Sequence, residues 1–345
     1  MASLSKLAAV PVFLAASLPG FCGDWNPRLA TDYLDSRQKE WAAWPPAKAS
    51  TGTCLSCHTG ATYLFARPAL RRALGEGGPT PYETGLLGGL RARVDQRESR
   101  SAASIGVESV LAALFLESEQ AFDRMWSLQN REGPAKGAWA WFNLKLDPWE
   151  MPESQFYGAA MAALATGTAP AEYRNRPEIR DHIADLTAYL KRELRNQPLH
   201  NRLALLWAAT KLPEALPESM RQPILDEVWR TQQADGGWTV EALGPWKKQP
   251  AAASATGSNS YPTAFVAFVL EKAGVACTDK RLGRALDWLR SHQDPERGYW
   301  SAESMNKVFE PGSMQAGFMR DAATSFAALA LLQAEEARPH FATVD

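Results

Sequence analysis

The chain has 345 residues, of which 46% are hydrophobic and 22% are charged. This is a globular composition with room for one large domain or two ordinary ones. Its 37 Lys and Arg residues balance 38 Asp and Glu residues, so no strong field of one sign favours binding to nucleic acid or to an anionic membrane surface.

The first predicted element is a secretory signal peptide over residues 1–23, followed by a single domain over 24–345. Lys6 supplies the positive charge of the signal, and an apolar stretch runs from Leu7 to Leu18. That stretch is short for a bilayer span, and no later segment is long and apolar enough for one. We therefore expect a periplasmic or otherwise exported protein with no membrane span after signal removal. The alternative interpretation is a buried N-terminal helix.

A haem-attachment motif follows in the segment Cys54-Leu55-Ser56-Cys57-His58. Two thiols three positions apart can reach the two vinyl groups of one porphyrin, and the next His can then bind the iron as proximal ligand. Export favours this interpretation, because covalent haem attachment occurs outside the cytoplasm. The alternatives are a zinc site, for which a second Cys pair is missing, a redox dithiol, for which a βαβ context is missing, and a simple disulfide. We expect one covalent haem c at Cys54, Cys57 and His58.

Further haem contacts are predicted from residue type alone. Met and His are the usual distal ligands of haem iron, although most Met residues only fill protein cores. Arg67, shortly after the motif, is expected to pair with a haem propionate, with surface solvation as the alternative. The candidates for the sixth ligand are Met319, Met314 and His200, then Met305, and behind them His182, His292 and His340.

Helical hairpins account for most of the remaining chain, and little strand pattern is present. Apolar helices rich in small residues are predicted as inner helices at about 58–72, 101–117, 154–164, 200–212, 263–270 and 324–332. Polar or amphipathic helices are predicted as outer ones, for example at about 28–42, 83–97, 178–195, 217–233 and 282–290. Six outer–inner pairs predict an all-α fold that closes into an α/α toroid around a central cavity, with an open solenoid as the alternative.

Three segments share the order Trp, Gln, a turn with Gly, and Trp. The turn Gly is expected to supply a positive φ at the end of an outer helix, and the last Trp to pack back across the hairpin. The three segments begin at Trp126, Trp229 and Trp288, and their turn glycines are Gly133, Gly236 and Gly298.

These Gln–Gly–Trp repeats resemble those of the squalene cyclase and protein prenyltransferase superfamily, over about 120–335 of the chain. The resemblance implies a toroid that binds an isoprenoid or other apolar molecule in an aromatic-lined cavity. Class II cyclases of that superfamily protonate their substrate with an Asp-x-Asp-Asp-Thr-Ala motif. The matching stretch here, 259–264, reads Asn-Ser-Tyr-Pro-Thr-Ala and has no carboxylate, so ordinary cyclase activity is disfavoured.

A closed toroid places the N-termini of all inner helices on one rim, and His58 directly precedes the first of them. The haem is therefore expected at the mouth of the cavity. Glu153 and Asp321, at the starts of other inner helices, are candidate acid/base catalysts, with interaction with the helix dipole as the alternative. The same rim is expected to receive His200, Ser260 and Met319.

Three functions are consistent with these features. The first is a haem-dependent oxidoreductase acting on an isoprenoid or other apolar molecule, which requires an open or displaceable sixth position on the iron. The second is electron transfer with a redox partner, or haem-based sensing, which requires firm axial ligation. The third is a repeat protein without haem that binds a partner and carries a disulfide at the Cys pair.

Overall fold

The computed structural model describes residues 25–49, 52–95, 101–247 and 257–337. The predicted signal peptide at 1–23 lies outside these residues, so export stays a prediction. Two short strands, β1 (Lys48–Ala49) and β2 (Gly52–Thr53), pair antiparallel directly before Cys54. The helices are α1 (Pro27–Ala43), α2 (Gly60–Ala73), α3 (Pro81–Asp95), α4 (Ala102–Leu116), α5 (Glu119–Ser127), α6 (Ser154–Thr168), α7 (Ala171–Arg174), α8 (Pro177–Glu193), α9 (Leu199–Ala208), α10 (Glu218–Thr231), α11 (Val240–Leu243), α12 (Ser260–Lys272), α13 (Lys280–Ser291) and α14 (Phe318–Glu336).

Six of these helices form a closed inner ring. In ring order they are α2, α4, α6, α9, α12 and α14, and α14 packs back on α2. The contact between α2 and α4 is made by Phe65 and Phe115, whose ring centroids are 4.8 Å apart. Each inner helix is preceded by an outer one, in the order α1, α3, α5, α8, α10 and α13. The predicted all-α toroid of six helical hairpins is confirmed, and the open solenoid is excluded.

The two rings differ in composition because they differ in burial. Helix α6 has buried residues on every face, and its small side chains allow close approach. A Cβ atom added to Gly158 of α6 would lie 2.2 Å from Cε3 of Trp141, so this position has room only for Gly. The outer helix α13 buries one stripe, formed by Leu282, Ala285, Leu286, Trp288 and Leu289, as expected for an amphipathic helix.

The last Trp of each repeat holds its hairpin together, as predicted. Each indole N–H donates to a backbone carbonyl near the end of the preceding outer helix, which satisfies the buried ring nitrogen. Trp139 donates to Met125 at 2.6 Å, Trp238 to Val228 at 2.9 Å, and Trp300 to Leu289 at 2.7 Å.

The Gln of each repeat joins one hairpin to the next. Its amide donates to the carbonyl of its own turn glycine and to a second carbonyl on the following hairpin. Gln129 reaches His182, Gln232 reaches Arg281, and Gln293 reaches Asn26 at the start of α1. The last repeat is therefore bonded to the first hairpin, which closes the ring.

The turn glycines lie against the next outer helix with positive φ. A Cβ atom on Gly236 or Gly298 would lie under 3 Å from backbone atoms of Arg284 or Leu29. In the first repeat this role belongs to Gly137, whose Cβ would lie 2.1 Å from the carbonyl oxygen of Asp185, and not to the predicted Gly133, which has open space around it. Gly133 has the positive φ predicted for it, and the close approach to the next outer helix, which was not predicted, is made by Gly137.

The expected open cavity along the toroid axis is filled, at its middle level, by aromatic side chains. Trp207 of α9 lies 5.0 Å, centroid to centroid, from Phe65 of α2, the helix directly across the ring. It also packs edge-on against Phe268 at 4.9 Å and Phe326 at 6.4 Å. In the parts of the chain described here, no helix has both the length and the apolar character needed to cross a membrane.

Candidate functional site

The segment Cys54–His58 leads directly into the first inner helix, as predicted from the sequence. Ser56 prepares the start of α2, because its hydroxyl accepts hydrogen bonds from the backbone N–H groups of Thr59 at 2.8 Å and Gly60 at 3.1 Å. Trp41 of α1 donates its indole N–H to the carbonyl of Cys54 at 2.7 Å. The motif is thus fixed at the rim by its own cap and by the neighbouring outer helix.

The imidazole of His58 is buried, and neither ring nitrogen has a hydrogen-bond partner among the described residues. The ring stacks on Phe318, with centroids 3.9 Å apart, and lies 5.8 Å from Trp149. The nearest charged group is Glu150, whose Oε1 is 3.5 Å from Nε2. Buried polar atoms are nearly always paired, so an imidazole with two unsatisfied nitrogens is typical of a ring that binds something further.

The donor groups at this position fit a covalent haem. Cys57 is a buried thiol outside any disulfide of the described residues, and Cys54 is half-buried at the surface. Burial raises the pKa of the Cys57 thiol, and the charges of Glu150 and Cys54 raise it further. No three His, Cys, Asp or Glu side chains in the described part of the chain are arranged to hold a bare metal ion.

The space beside His58 is too small for a porphyrin in the conformation described. The cavity there has a volume of about 10 Å³, and Met319 is among the residues that line it. Two segments, 142–150 and 301–317, lie over the cavity, and we call them the cover. Asn306 joins them, because its amide donates to the carbonyl of Lys145 at 3.0 Å and its Oδ1 accepts from the N–H of Asp147 at 3.3 Å.

Asp321 is fully buried in a network of hydrogen bonds and does not face a cavity. Its carboxylate accepts from Arg37 at 2.8 and 3.1 Å, from the hydroxyl of Tyr33 at 2.6 Å and from that of Thr59 at 2.8 Å. The expectation that Asp321 is an acid/base catalyst is therefore wrong. Its role is to tie α1, α14 and the residue next to His58 together.

Arg67 also has a different role from the predicted one. Its guanidinium forms ion pairs with Asp35 at 2.9 Å and with Glu76 at 2.6 Å, while its side chain is buried between α1 and α2. These two carboxylates satisfy the charge that a haem propionate was expected to satisfy. The predicted propionate contact and its alternative, surface solvation, are both wrong.

The predicted distal ligands differ in their distance from His58. Met319 lines the cavity beside it, whereas Met314 packs against Trp41 and Phe318. His200 is completely buried, with Nε2 2.8 Å from the hydroxyl of Tyr261 and Nδ1 3.1 Å from Oδ1 of Asn201. Burial lowers the pKa of His200 to about 4, so the ring is neutral. Of the remaining candidates, Met305 lies in the cover, His182 and His292 lie at the ends of repeat hairpins, and His340 lies outside the described residues.

A second, larger cavity opens at the same rim, with a volume of about 660 Å³. Glu153 lines it with an exposed side chain, and Asp147 borders both this cavity and the one beside His58. Burial, followed by the charge of Glu153, raises the pKa of Asp147 to about 6. The sequence analysis missed Asp147 and Trp149. The one available signal was their position in the connection that leads into an inner helix at the rim.

Comparison with known proteins supports the architecture and goes no further. No family model matches the chain, and no curated protein is similar to it. A crystal structure from Salmonella enterica, described as a possible member of the GH105 family, aligns with a TM-score of 0.53 and 11% identity, covering 94% of this chain and 98% of that one. What the two share is the fold. At this identity the similarity does not extend to chemistry.

Proposed function

We propose that this protein carries one covalent haem c at the rim of its toroid and uses it for electron transfer. The observation that carries the proposal is the buried imidazole of His58, with both nitrogens unsatisfied, directly after the buried thiol of Cys57. In this proposal Cys54 and Cys57 hold the porphyrin through thioethers and His58 is the proximal ligand. A bound haem would supply an iron centre that accepts and releases one electron.

Met319 is the best candidate for the sixth ligand, because it lines the same small cavity as His58. Ligation by His and Met raises the reduction potential of a haem and suits electron transfer better than catalysis. The filled axis also argues against the alternative of an oxidoreductase acting on an isoprenoid, since Trp207 and its neighbours take up the space such a chain would need.

Loading of the porphyrin requires the cover to move, because about 10 Å³ is available beside His58. The two segments of the cover are joined by the two hydrogen bonds of Asn306 and by a third from Nζ of Lys307 to the carbonyl of Leu144 at 2.9 Å. Trp149 and Met305 of the cover are buried and must move with it. We propose that the cover opens during attachment and closes over the edge of the bound group.

The test is expression of the full chain together with a c-type cytochrome maturation system, followed by extraction with acidic acetone. We expect a Soret band that stays with the polypeptide, and its loss in the Cys54→Ala/Cys57→Ala variant. The matched control is Cys277→Ala, because Cys277 lies on the opposite side of the toroid, beyond the end of α12. A colourless wild-type protein would contradict the proposal.

The spectrum then separates electron transfer from catalysis. We expect a low-spin, six-coordinate ferric form that becomes high-spin in Met319→Ala and remains low-spin in Met161→Ala, a buried Met of α6 outside the lining of the cavity beside His58. A wild-type protein that is already high-spin and binds cyanide readily would favour the enzyme alternative.

A further inference from the structure

The rim cavity of about 660 Å³ shares Asp147 and Pro148 with the cover, but the inference drawn from it does not require a bound haem. Its volume falls within the range typical of small-molecule sites. Three connections build its walls: residues 147–154 before and at the start of α6, residues 195–202 between α8 and α9, and residues 241–247 after the start of α11. All three lie at the rim where the inner helices begin.

One part of the lining carries two carboxylates, those of Asp147 and Glu153. The side chain of Glu153 is exposed to the cavity and forms no ion pair or hydrogen bond within the described residues. Asp147 is 2% exposed, and its Oδ2 atom is buried without a hydrogen-bond partner. A buried carboxylate oxygen in this state is unfavourable unless a donor reaches it.

A second part of the lining carries donors. Arg195 is exposed and also has no hydrogen bond or ion pair within the described residues. Asn196 and Gln197 follow it along the same wall. Arg202 differs from Arg195, because both carboxylate oxygens of Glu227 accept hydrogen bonds from its guanidinium, at 2.7 and 2.6 Å, and fix its position in the lining.

A third wall offers a flat apolar surface. Trp246 is half-buried, and its indole N–H donates to the carbonyl of Val240 at 2.7 Å, which fixes the plane of the ring. Pro148 and Pro198 extend the apolar surface on either side. The cavity therefore combines acceptors, donors and one rigid aromatic face.

These walls select a class of ligand by exclusion. A hydrocarbon would bury Asp147, Glu153 and Arg195 without partners, which is costly. The lining holds the carboxylates Asp147, Glu153 and Glu241 together with the cations Arg195 and Lys247, so neither an anion nor a cation meets charges of one sign. A hydroxyl group both donates and accepts, so it can serve either wall, and the C–H face of a sugar ring can lie on an indole.

We propose that this cavity is a binding site for a neutral sugar residue, with Trp246 beneath the ring and with Glu153 and Arg195 bonded to its hydroxyl groups. The ligand would enter from solvent at the rim, next to the cover. Asp147 would accept a hydrogen bond from the innermost hydroxyl.

The experiment uses the full chain on an array of neutral, acidic and amino-substituted glycans, with affinities of the hits measured by calorimetry. We expect binding to neutral glycans, weakened roughly 10- to 100-fold by Glu153→Gln, since a hydrogen bond to a charged group is lost. Trp246→Ala should weaken it by roughly tenfold or more. The matched control is Glu172→Gln, an exposed carboxylate on α7, which should leave affinity unchanged.

Two outcomes would overturn the proposal. One is the absence of binding to any neutral glycan on the array. The other is binding that prefers acidic or amino-substituted glycans, or that persists unchanged in both variants. Glu153 is exposed and its replacement by Gln conserves shape, so misfolding does not obscure this result. The glycan array does not require haem, so it still tests this proposal if the protein proves colourless and the haem proposal fails.

Discussion

Replacement of Asp321 by Asn tests whether this carboxylate is structural, as its surroundings indicate. The change keeps the shape of the side chain but removes its charge, and it leaves the buried guanidinium of Arg37 with the exposed carboxylate of Glu40 in place of its buried counter-ion. Breaking a buried ion pair from one side costs about 3–5 kcal/mol. For 345 residues, at an unfolding entropy of ~2.1 cal/mol/K per residue, this corresponds to a fall in Tm of about 4–7 °C.

The assay is thermal unfolding followed by circular dichroism, together with a double-mutant cycle. Arg37→Met/Asp321→Leu should cost less than the sum of its two single variants, because no charge then remains unpaired. The control is Asp287→Asn, which breaks an exposed pair with Arg290 and should cost under about 1 kcal/mol. If Asp321→Asn unfolded at the same temperature as Asp287→Asn, the structural role assigned to Asp321 would be refuted.

Three further predictions concern the core and the cover. The pKa of His200 is lowered by folding, so the unfolded state binds more protons than the folded state between about pH 6.5 and 4. Acidification across this range should therefore lower the free energy of unfolding of wild type by about 3 kcal/mol, measured by urea unfolding at each pH. A His200→Gln variant should not show this loss. Trp207→Ala should lower the free energy of unfolding by about 3–5 kcal/mol, and a loss below 1 kcal/mol would show that the axis is not packed as described. In the haem-free chain, Asn306→Ala should increase the rate of thiol labelling of Cys57 about tenfold relative to that of Cys277. Peptide mass mapping measures both rates, and an unchanged ratio of the two would contradict the opening of the cover.

The architecture could be predicted from the sequence because each repeat contains the residues that close its hairpin and join it to the next. A Gln that bonds two hairpins, a glycine that lets the next outer helix approach, and a Trp that closes the hairpin recur in order, as with Gln232, Gly236 and Trp238. Three such repeats within six predicted hairpins leave few alternatives to a ring. The position of the motif at Cys54–His58 on the rim followed from the same reasoning.

The roles of single charged residues could not be predicted, because their partners lie far away in the sequence. Asp321 bonds to Arg37, 284 positions earlier, and Arg67 bonds to Asp35 on a different helix. The sequence pattern of a carboxylate at the start of a helix is the same whether the carboxylate faces solvent, a substrate or a buried guanidinium. Likewise, the resemblance implied an aromatic-lined cavity, whereas Trp207, Phe268 and Phe326 pack against one another near the axis.

The contact of Trp207 with Phe65 connects helices on opposite sides of the ring. In an open array each unit touches only its neighbours, so ends can fray and units can melt one after another. Here a side chain near the axis touches helices from three other hairpins, and loss of any one hairpin exposes the shared aromatic cluster. The molecule is therefore built to unfold as a single cooperative body, and partial opening is confined to the segments that lie above the rim.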